Sequence, residues 1–132
     1  MWTGNFVRGA VTTELPPAIA GWFTTRGWAP RRHQLDVLES WGRGASQLLI
    51  APTGAGKTLA GFLPTLVDLA PGGFEGLHTL YISPLKALAV DVQRNLVSPI
   101  EEMDLPIRVE TRTGDTPASR RARQRTNPPQ VM

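Results

Sequence analysis

The chain has 132 residues, enough for at most one domain, and its 41% hydrophobic and 19% charged content is globular, which excludes a disordered chain. The absence of cysteine excludes disulfides, iron–sulfur ligation and cysteine-based zinc sites, and it suits a reducing cytoplasm. Net charge is +3, and 12 of the 14 basic residues are arginine, whose planar fork of donors favours phosphate recognition.

Residues 1 to 14 show no clear period and read as a lead-in, with no basic region followed by an apolar stretch as in a signal peptide. No apolar run approaches membrane-spanning length, so no membrane partner is expected. Leu15-Pro16-Pro17 opens a first helix with Ile19, Trp22 and Phe23 on one stripe, and Gly27 is placed to end it. Trp28-Ala29-Pro30 makes a turn. A second helix, from about Arg31 to Trp41, carries Leu35, Leu38 and Trp41 on one side. Gln34 on this helix is, by spacing alone, better read as a surface amide than as a reader of an adenine edge. Gly42 and Gly44 release the chain into an apolar strand, Gln47 to Ala51.

Ala51-Pro52-Thr53-Gly54-Ala55-Gly56-Lys57-Thr58 then matches a phosphate-binding loop, with Ala51 in place of the first glycine of G-x-x-x-x-G-K-[ST]. Gly54 and Gly56 permit positive φ, so that backbone N–H groups can wrap a polyphosphate. Lys57 is the cation for the β- and γ-phosphates, and the Thr58 hydroxyl is a candidate Mg²⁺ ligand. The helix that follows would aim its positive dipole end at the anion. That helix carries Leu59, Phe62, Leu63, Leu66 and Val67 at helical spacing, is expected to kink at Pro64, and ends at Pro71-Gly72-Gly73.

His78 to Ser83 reads as a buried strand stopped by Pro84, and Lys86 to Val97 as a helix ended by Pro99. Ile107 to Thr111 alternates and reads as a further strand. After the turn Thr113-Gly114-Asp115-Thr116, with Thr116 as N-cap, comes a very basic helix over about Pro117 to Arg125. Gln130-Val131-Met132 looks like the start of another strand. This order is α/β and implies right-handed crossovers and a parallel sheet. Ligands of such sheets sit at the carboxyl strand ends, so the phosphate loop, Ser83 to Lys86, and Arg112 to Thr116 should share one edge.

Ala51 to Thr58 resembles motif I of superfamily 2 helicases. Tyr81-Ile82-Ser83-Pro84-Leu85-Lys86-Ala87-Leu88-Ala89 resembles motif Ia, and Arg112-Thr113-Gly114-Asp115-Thr116 the next DNA-contacting motif. Trp28-Ala29-Pro30-Arg31-Arg32-His33-Gln34 looks like the upstream glutamine motif. Together they are most similar to the Lhr (large helicase-related) DEXH-box helicases, especially the DNA-ligase-associated branch. The resemblance runs from about Leu15 to Met132. It implies the N-terminal part of a first RecA-like motor domain over 15–132, with ATP, Mg²⁺ and single-stranded DNA or an RNA–DNA hybrid as ligands. It raises Gln34 to an adenine reader. It assigns Pro84, Leu85 and Lys86, and Arg112, Thr113 and Gly114, to DNA phosphates, the kind of contact that positions without reading bases. The family's Asp-Glu pair, which holds Mg²⁺ and activates water, is absent from the sequence. No catalytic residue is therefore assigned, and the chain reads as a fragment that stops before that motif, with the rest of the helicase core as its missing partner. Another phosphate-loop NTPase or small kinase, and a nucleotide-binding fragment without turnover, are the competing functions.

Overall fold

The computed structural model describes residues 14–132, so that, Glu14 apart, the expected lead-in lies outside the described residues. Five helices follow in order: α1 (Pro17–Thr25), α2 (Arg32–Gly42), α3 (Lys57–Leu69), α4 (Lys86–Glu102) and α5 (Ala118–Thr126). Ile19, Trp22 and Phe23 are buried as the spacing in α1 requires. The ends of α1 and α2 are set by glycine. Gly27 (φ 65) donates to the Thr24 carbonyl while Trp28 donates to that of Phe23. Gly44 (φ 73) donates to Trp41 and Ala45 to Ser40 in the same way. Both are paired C-terminal closures that need a left-handed residue after the cap.

α3 is the axis of the core. Leu63 and Leu66 are fully buried, with Phe62 and Leu69 close to it. Around them pack Ile19, Trp22 and Phe23 from α1, Leu38 from α2, Leu96 and Ile100 from α4, and Ile107 and Val131. α3 runs through Pro64 and ends at Leu69, ahead of Pro71-Gly72-Gly73.

Three of the four expected strands pair, but only briefly. Val131 forms parallel bridges to Thr79 on one side and Val109 on the other, so the last segment in sequence lies between the two earlier ones. Tyr81 donates to the Met132 carbonyl at 2.8 Å and Met132 to Thr79 at 3.0 Å. On the other side Val131 donates to Arg108, and Glu110 to Val131, each at 3.1 Å. The expected strand Gln47 to Ala51 is unpaired among the described residues, and the expected burial of His78 to Ser83 holds on one face alone. Leu48 and Ile50 are 86% and 85% exposed, and Ala45 to Ala51 pairs with no strand among the described residues. In the stretch His78 to Ser83, Thr79 and Tyr81 face α3: Thr79 shares a hydrogen bond with Thr65, and Tyr81 packs on Phe62. Leu80 and Ile82 are exposed. An apolar strand is buried only when a neighbour covers each face, and these faces have none among the described residues.

Two helix boundaries also differ from expectation. α4 does not stop before Pro99 but continues to Glu102. The hydrogen bond that Pro99 cannot make is offset by tertiary anchors in the last turn: Ile100 is 4% exposed in the core, and Glu102 is held by three side chains. At α5 the N-cap is Pro117, and the Thr116 hydroxyl instead accepts from the Thr113 N–H at 2.8 Å. Among the described residues no helix is long and apolar enough to cross a membrane.

Candidate functional site

The phosphate-loop sequence folds as a compact turn. Gly54 (φ 79) and Gly56 (φ 75) are left-handed, and Ala55 donates back to the Pro52 carbonyl. Gly56 is the N-cap of α3, so Lys57 and Thr58 open that helix with amides that have no partner within it. Three loop carbonyls are taken up by side chains. Gly54 accepts from Arg31 Nη1 at 3.3 Å, Gly56 from Gln34 Nε2 at 3.3 Å, and Ala51 from Lys57 Nζ at 2.6 Å. With these carbonyls engaged, the N–H donors of the helix start are left for an anion.

Gln34 is the point at which spacing misled. It is 3% exposed, and its amide is used at both ends. Oε1 accepts from the Arg31 N–H at 2.8 Å, closing the return half of a capping box, and Nε2 donates to Gly56. The Arg31 side chain has no acceptor, so only that half exists. Gln34 thus ties the start of α2 to the phosphate loop.

Gly54, Gly56 and Thr58 border a cleft of about 790 Å³, closed on the other sides by Trp22, Arg26, Trp28, Arg31 and Gln34 and by α4 from Arg94 to Pro99. At its rim the Arg26 guanidinium lies 5.1 Å from the ring centroids of both Trp22 and Trp28, which meet edge to face. Glu102 accepts from Arg26, from Trp22 Nε1 at 2.8 Å and from Ser98 Oγ at 2.9 Å. These bonds, Arg26 first, lower its carboxyl from an ordinary 4.5 to about 2. Glu102 is therefore a structural anion here, not a spare base for water. Sequence reasoning missed this cage because its partners lie 76 and 80 residues apart.

The second candidate edge is assembled by contact. Lys86, the first residue of α4, is ion-paired with Asp115, which joins the motif around Pro84-Leu85-Lys86 to the turn 113–116. Pro84 and Leu85 are exposed, with the Ser83 hydroxyl bonded to both the N–H and the carbonyl of Leu85. Ser83, Lys86, Arg112, Thr113 and Gly114 rim a cavity of about 390 Å³ floored by Leu96, Val109 and Val131. Arg112 is exposed and makes no ion pair among the described residues. Hence two of the three stretches expected to share an edge touch one another, whereas the phosphate loop opens on the other cleft.

The basic helix is not one uniform patch. Arg123 pairs with Glu110 at 2.9 Å, and Gln124 donates to the same carboxylate. Burial pushes Glu110 up, but the bonds from Gln124 and Arg123 and the charges of Arg123 and Arg108 outweigh it, and the net direction is down. Arg121 turns inward onto the carbonyls of Thr113, Gly114 and Thr116.

Residues 31–132 match the model of the DEAD/DEAH box helicase family. The chain belongs to that family. Its relatives include the Lhr helicase/probable uracil glycosylase of Mycolicibacterium smegmatis, 46% identical over 124 residues, which are 84% of this chain and 8% of that protein. The ATP-dependent helicase Lhr-Core of Methanothermobacter thermautotrophicus is 33% identical over 141 residues, 96% of this chain and 16% of that one. Among solved structures, the Mycobacterium smegmatis helicase Lhr bound to ssDNA and AMP-PNP superposes with a TM-score of 0.79 at 42% identity, over 89% of this chain and 16% of that one. The DUF1998 helicase MrfA bound to DNA and AMPPNP superposes with a TM-score of 0.78 at 30% identity over the same shares. This member of the family therefore has a RecA-like helicase-domain fold of the Lhr kind, and it spans 8 to 16% of the length of these relatives.

Proposed function

We propose that the chain is the front part of the first motor domain of an ATP-dependent DNA helicase or translocase, binding ATP at the phosphate loop and a DNA single strand at the 84–86 and 112–114 edge. The observation that carries the nucleotide half is the bond from Gln34 to Gly56 across a loop whose two glycines are left-handed. It ties the helix that carries the glutamine motif to the phosphate loop. The donor set fits a magnesium–nucleotide ligand. Thr58 offers one hydroxyl, and phosphate oxygens and water are the usual remaining ligands of Mg²⁺. Bound nucleotide would supply the phosphoryl group; the amides of Gly54 to Thr58 would hold it, and Lys57, which now donates to the Ala51 carbonyl, would be the cation for its phosphates.

The DNA half is supported by the Lys86–Asp115 pairing, which brings two phosphate-contact motifs to one place, and by the bound DNA of the two structural relatives. The three paired segments around Val131 are read as the core of a parallel sheet with flanking helices, completed by the remainder of the helicase core. The chain has no Asp-Glu pair, so turnover belongs to the assembled core and not to these residues alone. Membership of the DNA-ligase-associated branch, and action on RNA–DNA hybrids, rest on the sequence resemblance.

The test is equilibrium binding of a fluorescent ATP analogue to the full chain as its gene encodes it, beside Lys57→Ala, together with ATP hydrolysis with and without single-stranded DNA. DNA-stimulated turnover that Lys57→Ala abolishes is the expected result. Wild-type turnover in the variant would overturn the loop assignment.

A further inference from the structure

We infer that Arg121 is a positioning residue for the nucleic-acid edge, acting through the turn Thr113-Gly114-Asp115-Thr116 and not as a cation on phosphate. The inference rests on the proposed DNA reading of that edge. Arg121 Nε donates to the Thr116 carbonyl at 2.8 Å, and Nη2 donates to Thr113 at 3.1 Å and Gly114 at 2.6 Å. One guanidinium fork therefore spans three carbonyls of one turn.

The consequence follows from peptide geometry. The chain has no cis peptide among its described residues, and in a trans planar unit the N–H points opposite to the preceding carbonyl. Fixing the Thr113 carbonyl toward Arg121 turns the Gly114 N–H to the opposite side. Fixing the Gly114 carbonyl does the same for Asp115, whose N–H is shared with Thr113 Oγ1 at 3.3 Å. The Thr113 N–H is already used by Thr116 Oγ1. Gly114 N–H is thus the outward donor of the turn, and the space where a Gly114 Cβ would stand holds nothing within 4 Å. A phosphate can approach that amide closely. Arg121 lies half-buried behind the turn with Nε and Nη2 committed to it, while Arg120 and Arg125 on the same helix are exposed.

Lysine keeps the charge of arginine but is a point donor on a flexible stem, without the planar fork. The two roles therefore separate in one experiment. Binding of a labelled oligothymidine to the full chain is measured by anisotropy at several salt concentrations for Arg121→Lys, Arg121→Ala and an Arg112→Ala/Lys86→Ala double variant. ATP-analogue binding at the remote phosphate loop checks the fold of each. Positioning predicts that Arg121→Lys and Arg121→Ala both lose roughly tenfold or more in affinity, about 1.4 kcal/mol or more. Their salt slopes should stay those of the parent. If instead Arg121→Lys binds as the parent does, and Arg121→Ala loses a slope of about 0.7, Arg121 is a phosphate cation and the inference is overturned. Parental binding by both also overturns it. Loss in the double variant alone leaves the DNA reading intact without Arg121, whereas parental binding by the double variant removes the DNA reading itself. Should Arg121→Lys fail to bind nucleotide, Arg121→Gln replaces it: a neutral amide can hold one carbonyl but cannot be a cation. Affinity above that of Arg121→Ala supports positioning, and affinity equal to it overturns positioning.

Discussion

Gln34 Nε2 lies 3.3 Å from the Gly56 carbonyl oxygen, and a Cβ built on Gly56 would stand 2.8 Å from the same nitrogen. The glycine is required twice over, once for its left-handed φ of 75 and once for the space that the amide occupies. The proposed phosphate loop is here braced from behind by a side chain of another helix.

Gly56→Ala should therefore be felt in both stability and binding. A side chain in a left-handed or otherwise strained conformation costs about 1–3 kcal/mol, before any displacement of Gln34. Urea unfolding of the full chain should show that loss, and ATP-analogue affinity should fall with it. Unchanged binding would mean that the loop adopts its working form without Gln34. Gln34→Ala should cost about 0.5–1.5 kcal/mol for each hydrogen bond lost, since the Arg31 N–H loses its acceptor and the Gly56 carbonyl its side-chain donor.

Asp115→Asn should tighten binding of a DNA single strand. In the structure Lys86 is engaged by Asp115, so a phosphate must compete with a carboxylate for that ammonium. Removing the carboxylate frees one cation and should steepen the salt slope by at most about 0.7. Weaker binding in this variant would show that the ion pair organises the edge more than it masks it.

Glu102 gives the fold an acid dependence of known sign. Its carboxyl is lowered from 4.5 to about 2 by Arg26, Trp22 and Ser98. A depressed carboxyl contributes stability that is full above its unfolded value and is lost as pH falls toward the folded one. The difference in unfolding free energy between the parent and Glu102→Gln should be constant above pH 5 and shrink between pH 4.5 and about 2. A difference that does not change over that range would place the effect in packing and not in charge.

The exposed edge should make the 132-residue chain self-associate. Leu48, Ile50 and Ile82 are each more than 80% exposed on segments of strand character, a template for pairing between chains. Ile50→Lys should move the chain toward monomer in sedimentation velocity. An unaltered distribution would assign association to another surface.

What was legible in the sequence was local. Ile19, Trp22 and Phe23 announce the buried stripe of α1, Gly27 and Gly44 announce the helix ends, and Gly54 to Thr58 announce the loop, because each signal acts over a few residues. What was misread depended on distant neighbours. Leu80 and Ile82 look buried, but no local signal says which face a neighbour covers. Pro99 looks like a helix stop until Ile100 and Glu102 are seen to be anchored elsewhere. Gln34 looks like a surface amide until the loop 22 residues later folds back against it. The family resemblance singled out Gln34 as an adenine reader, and neither it nor the spacing indicated the bond to Gly56.

The chain contains two lysines, and each is held by its own chain: Lys57 on the Ala51 carbonyl and Lys86 on Asp115. Lys57 belongs to the proposed nucleotide site and Lys86 to the proposed nucleic-acid edge, which border different clefts. Amine acylation read by mass spectrometry would therefore report the two ligands in separate channels. Nucleotide would change the reactivity of one peptide and a DNA strand that of the other, while the arginine side chains do not acylate.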